Sequence, residues 1–234
     1  MNAGQFFRLV PQRWRYRIAA RVALLLAPLL RRTRLYARRP SRLDGYREES
    51  LRLAIRVLAR ARVPYDPDLD VRGLEHLPDG PALIVSGHFL LNGLMTRCLF
   101  DTHRTLTVIL GSERRESTFY AGTLRPVETL IVNPSILVQI RRRLLDGGIV
   151  FIDIDSKLAS RDSMEVETAV DTRWISPSVL QLVEKIGVPV IFTAARVEGR
   201  RATVTFVKPS SQQADTMLRE FGDFYRDHIA AVER

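Results

Sequence analysis

One histidine in this sequence stands where a proton could be taken at neutral pH. Residues 80–92 read Gly-Pro-Ala-Leu-Ile-Val-Ser-Gly-His-Phe-Leu-Leu-Asn, a buried-strand pattern that stops at Ser86-Gly87 and gives way at His88 to a helical one. In open α/β sheets ligands bind outside the carboxyl ends of the strands. An imidazole with an ordinary pKa near ~6.5 suits proton transfer at such a place. The same spacing equally suits a histidine that caps the start of the next helix, and spacing alone does not separate the two. Asp153 and Asp155 alternate by two on a predicted strand, so both should point the same way and the strand's end should approach His88; the plainer reading is two exposed carboxylates beside a turn.

Other chemistry finds less support. His76, His103 and His228 are scattered without metal-ligand spacing, so no metal is expected. Ser86, Ser112 and Ser135 lack the Gly-X-Ser-X-Gly setting of a hydrolase nucleophile. Neither a phosphate-binding loop nor a Gly-X-Gly-X-X-Gly fingerprint occurs. Arg141-Arg142-Arg143 falls near a helix end, where it complements the helix dipole or faces water.

The elements that must position these residues follow from pattern. With 46% hydrophobic and 26% charged residues in 234, the chain has the balance of a packed protein, not of a disordered one. Short apolar runs alternate with longer helical ones after Pro64–Asp70, the clearest boundary. The predicted strands are 82–85, 106–110, 129–132, 150–154, 190–194 and 202–207; the predicted helices are 12–38, 44–62, 90–101, 135–146, 176–186 and 212–232. Gly147-Gly148 and Gly187 stop two of these helices. The expected fold is α/β, a mixed central sheet flanked by helices, with an N-terminal basic amphipathic helical segment. Residues 1–63 are expected to form that segment, packed on an α/β domain of residues 64–234.

Charge divides the chain the same way. Residues 1–62 hold 16 arginines against Asp44, Glu48 and Glu49, a net +13, and the rest is slightly acidic. Such a segment needs a polyanionic partner. Phe6, Phe7, Leu9, Trp14 and the run Val22 to Leu30 make it more apolar than a nucleic-acid arm, so nucleic acid is not the expected partner. That run is nine residues long, well short of the ~20 that span a bilayer. A helix lying on an anionic membrane surface has this make-up; so does one packed on its own domain with its arginines solvated. No small-residue cleavage site follows Leu30, and Cys98, the single cysteine, has no partner for an internal disulfide. The expected location is cytoplasmic, peripheral on the inner face of the cell membrane.

Three stretches carry a family likeness. Residues 73–89, GLEHLPDGPALIVSGHF, resemble the first motif of the glycerolipid and lysophospholipid acyltransferase superfamily, most closely its lipid A lauroyl/myristoyl acyltransferase branch. LLDGGIVFIDIDSK (144–157) resembles the branch's helix, Gly-Gly turn, strand and acidic segment. ISPSVLQLVEKIGVPVIFTAARVEGRRATVTF (175–206) is similar to its proline-led helix, following strand and hairpin. The basic, apolar N-terminal helix is also like the branch's membrane-associated start.

The resemblance implies an acyltransferase that moves a fatty acyl group from an acyl carrier protein or coenzyme A thioester to a hydroxyl or amine of a lipid or small molecule. No cofactor is bound; the acyl thioester is a co-substrate. His88 matches the family's general base, and Gly87 and Phe89 beside it are expected to contact substrate. The family's acid, five positions after the histidine, is absent: position 93 is Gly and position 92 is Asn. Asn92 could hold a tautomer but cannot offset imidazolium charge. Asp155 best matches the family's later acidic position, with Asp153 next to it, and Arg114 and Arg115 lie where the family binds phosphate or supports the thioester; both are also suited to a solvated turn between Glu113 and Glu116. Three readings remain: an acyltransferase whose carboxylate comes from Asp153, Asp155, Glu113 or Glu116; one for an amine acceptor, which asks less of a base; or a non-catalytic or repurposed relative that binds a lipid or acyl carrier.

Overall fold

Strands buried on both faces read as unbroken apolar runs, because a parallel sheet is covered by helices on either side. β2 (Ala82–Ser86) and β3 (Leu106–Leu110) are of this kind, buried at every position. The computed structural model describes residues 3–31, 46–60, 66–89, 91–100, 105–111, 127–156, 162–167, 172–198 and 201–232. Within them the chain is α/β. Seven strands form one mixed sheet, in the order β1 (Leu69–Arg72), β10 (Arg201–Val207), β9 (Val190–Glu198), β2, β5 (Ile149–Asp153), β3, β4 (Glu128–Ile131). β9, β2, β5, β3 and β4 run parallel; β10 returns antiparallel to β9, and β1 pairs parallel with β10.

The six predicted strands are all present within a residue or two of their expected ends, except β9, which continues to Glu198 as one arm of the hairpin with β10. β1 was not expected. Neither was a second, three-stranded antiparallel sheet, order β6 (Asp155–Ser156), β8 (Thr172–Ile175), β7 (Met164–Glu167). Its strands are too short and too polar for the sequence pattern to register. The predicted strand 150–154 therefore ends earlier: the chain leaves the large sheet after Asp153, and Asp155 belongs to the small one. Ile154, between them, donates its N–H to Ser86 O at 3.0 Å and accepts from Ser176 N at 3.2 Å, so it joins the two sheets.

α4 (Asn92–Phe100), α5 (Ile136–Leu145) and α6 (Ser178–Ile186) cover the sheet. Gly187 ends α6 at φ 69°, where its N–H bonds to Glu184 O and that of Val188 to Val183 O. A residue with a Cβ is strained in that left-handed turn, which is why the glycine read correctly as a stop. α7 (Ala214–Val232) buries Ala214, Met217, Phe221 and Tyr225, a stripe at helical spacing that His228 continues.

The N-terminal segment comprises α1 (Ala3–Leu9), α2 (Gln12–Arg31) and α3 (Tyr46–Arg60). α2 turns Tyr16, Ala19, Ala20, Ala23 and Ala27 inward, while α3 buries Leu51, Ala54, Ile55 and Leu58. Small side chains on one helix let the larger ones of the other come close. Glu48 of α3 accepts the N–H of Val197 on β9 at 2.9 Å, so the segment is joined to the large sheet. Among the described residues no helix is long and apolar enough to cross a membrane.

His228 gives the fold a pH signature. Burial pushes its pKa down to about 4 from 6.5, helped by the charge of Arg196 and only partly opposed by the Ala195 backbone and Glu198. The unfolded chain takes a proton there below about 6.5 and the folded chain only near 4, so the folded state loses stability as pH falls through that window. The shift corresponds to about 3 kcal/mol. Urea midpoints measured from pH 7 to pH 4 are expected to fall less steeply in His228→Phe than in the unaltered protein; equal slopes would remove His228 as the cause.

Candidate functional site

The end of β2 is built for a close approach. A Cβ at Gly87 would sit 2.3 Å from Cε2 and 2.8 Å from Cδ2 of Tyr225, so only glycine lets the strand end lie against that ring. Ser86 is buried and donates its hydroxyl to Thr193 O at 2.9 Å, fastening β2 to β9. After Gly87 the chain turns tightly, with Phe89 N–H bonding to Gly87 O at 2.7 Å, and α4 begins at Asn92. Phe89 is buried, stacked on Tyr225 with ring centroids 5.3 Å apart and lying 4.4 Å from the ring of His228. It was expected beside substrate; its place is in the packing, where it holds the turn to α7.

That turn presents His88. Its Nδ1 lies 2.8 Å from Oδ1 of Asp155, and its backbone N–H donates to the same oxygen at 2.7 Å. The imidazole is 41% exposed, whereas the carboxylate side chain is fully buried. Oδ2 of Asp155 accepts the hydroxyl of Tyr225 at 3.1 Å and lies 3.5 Å from a guanidinium nitrogen of Arg173. Burial pushes the Asp155 carboxyl up, but the hydrogen bonds and charge of His88, then the charge of Arg173, outweigh it and hold it below the usual carboxylate range. An ionised carboxylate can only accept, so Nδ1 carries the proton of the neutral imidazole and Nε2 holds the basic lone pair. Such an arrangement can take a proton from a polar group brought to the exposed side of the ring and stabilise the resulting imidazolium.

Asn92 does something different from what was expected of it. Its amide nitrogen bonds to both carboxylate oxygens of Asp153, at 2.9 and 2.8 Å, and to Gly87 O at 3.0 Å, not to the imidazole. A carboxylate at position 92 would face that of Asp153 across the same gap, so an amide is what the neighbour demands. Asn92 thereby locks the turn to the end of β5. Asp153 and Asp155 do both reach the His88 turn, but from different strands and with separate partners, because Ile154 breaks the alternation.

Arg114, Arg115, Glu113 and Glu116 lie outside the described residues. Among those described, no group of three His, Cys, Asp or Glu side chains is arranged to hold a metal ion.

Two members of the cluster escaped the sequence reading. Arg173 stands one position from Trp174 and two from Ile175 on β8, with Arg173 and Ile175 both buried. An arginine sharing a strand face with an isoleucine was the available signal, hidden because β8 itself was not recognised. Tyr225 is one member of an apolar stripe, and nothing in its spacing marks its hydroxyl as bonded to a carboxylate 70 positions away. No protein-family model matches this chain, and no curated protein matches it significantly.

Proposed function

We propose that the protein is an acyltransferase of the kind its motifs resemble, working at a membrane surface with His88 as general base. The observation that supports it is the hydrogen bond between His88 Nδ1 and Asp155 Oδ1 at the carboxyl end of β2. The likeness in sequence lacked an acid at position 93; Asp155 supplies one from another strand. In this reading the acceptor's hydroxyl or amine attacks the thioester carbonyl carbon while Nε2 of His88 takes its proton. The tetrahedral intermediate collapses with loss of the C–S bond, and the imidazolium returns the proton to the leaving thiolate. Asp155 keeps Nδ1–H in place and offsets the positive charge that develops on the ring. The donor is an acyl carrier protein or coenzyme A thioester and the acceptor a lipid or small molecule.

Membrane contact would use the side of α2 that the alanine stripe leaves free. Trp14, Val22, Leu25 and Leu26 are exposed there, Leu25 at 77%. By helical spacing Arg17 and Arg21 flank this face, and the Arg17 guanidinium lies over the Trp14 ring at 5.7 Å. Leucine and tryptophan bordered by arginine is the composition that seats a helix at an anionic interface. Arg15 is not part of it: its Nε donates to Val10 O at 2.8 Å and closes the corner between α1 and α2.

Purified protein given acyl carrier or coenzyme A thioesters and a panel of hydroxyl and amine acceptors is expected to transfer the acyl group, and His88→Ala to be at least ~100-fold slower. Transfer unchanged in His88→Ala removes the histidine from the mechanism; no transfer to any acceptor favours a protein that only binds lipid or acyl carrier. Sedimentation with anionic vesicles should fall several-fold in the triple variant Arg13→Gln, Arg17→Gln, Arg21→Gln, and in the unaltered protein as salt rises. Binding unaffected by either change would contradict the interfacial helix.

A further inference from the structure

The two oxygens of Asp155 keep different company. Among the described residues Oδ1 serves only His88, through the ring and the backbone, whereas Oδ2 meets Tyr225 from α7 and Arg173 from β8. The side chain of Arg173 is only 8% exposed, so water screens its charge weakly. A guanidinium also stays charged at every pH at which imidazole titrates. A permanent positive charge is therefore fixed on the far side of the carboxylate that His88 depends on.

We propose that Arg173 and Tyr225 are positioning residues that act through Asp155 to keep His88 in its neutral, proton-accepting form near neutral pH. The proposal rests on the reading of His88 as a base. A carboxylate left to itself beside an imidazole stabilises the imidazolium strongly, and a base already carrying its proton cannot accept another. Drawing part of the carboxylate's charge toward a guanidinium and a phenol hydroxyl weakens that pull while leaving Nδ1–H anchored.

Among the described residues, the groups that bear on His88 come from four surrounding elements. Asp155 lies on β6 and Asp153, bonded to Asn92 of α4, at the end of β5. Arg173 lies on β8; Tyr225 and His228 lie on α7, His228 behind Phe89 and kept neutral by burial. The carboxylates favour the protonated ring and Arg173 opposes them. Tyr225 contributes no charge, only a hydrogen bond on Oδ2, so its share is the smaller.

The experiment follows the His88 imidazole by NMR in protein labelled at histidine, with the resonance assigned by its loss in His88→Ala. Arg173→Gln is expected to raise the titration midpoint by about 1 pH unit, Tyr225→Phe to raise it by less, and Arg173→Lys to stay near the unaltered protein. The acid limb of the transfer rate should move to higher pH by the same amount in each variant. An unmoved midpoint in either folded variant, Arg173→Gln or Tyr225→Phe, overturns the proposal, as does a lysine that fails to restore it, since a merely structural role would leave the titration alone. The midpoint is read without substrate, so a protein that transfers no acyl group would end the acyltransferase reading and leave this result standing.

Discussion

A carboxylate with no access to water must be given donors, and Asp155 is the point around which this molecule is arranged. Its cost in isolation would be several kcal/mol. Four groups from three different parts of the chain meet it: the backbone and ring of His88, the hydroxyl of Tyr225 and the guanidinium of Arg173. Each brings a structural demand. Gly87 must lack a side chain for Tyr225 to come near, and β5 must end at Asp153 so that the chain can step to the small sheet. The site and the junction of the two sheets are one construction.

Placing the carboxylate on a strand instead of on the helix after the histidine changes what it can be attached to. An acid at position 93 would be held by the first turn of α4. Asp155 is instead walled by β8 and α7, and so acquires partners that bias its electrostatics. The turn loses nothing in rigidity, because Asn92 ties it to Asp153 and Phe89 ties it to α7. Among the described residues, the N-terminal helices give Asp155 no hydrogen bond or charge partner. They carry their own division of labour, with alanines turned to α3 and leucines left toward solvent.

Much of the architecture was legible because it rests on local signals. Fully apolar runs announced the parallel strands, proline and glycine marked the ends of α5 and α6, and His88 stood at a strand end whose position in an open sheet is informative. What stayed hidden depends on contacts between distant residues. The two-residue β6 has no period to read, and without it Asp153 and Asp155 looked like neighbours on one strand face. Asn92 looked like a substitute for a missing acid, when it is the complement of Asp153. Arg173 drew no notice because β8 was not recognised, and its spacing with Ile175 says nothing of the carboxylate it meets.

Whether His88 can act as a base turns on which of its imidazole nitrogens bears the proton, and that is directly measurable. With ¹⁵N-labelled histidine at a pH above the His88 midpoint, NMR distinguishes the two tautomers. A protonated Nδ1 with a bare Nε2 is expected from the hydrogen bond to ionised Asp155. A protonated Nε2, with the lone pair on Nδ1 facing Asp155, would mean that the carboxyl is the donor, and His88 would have no base to offer an acceptor.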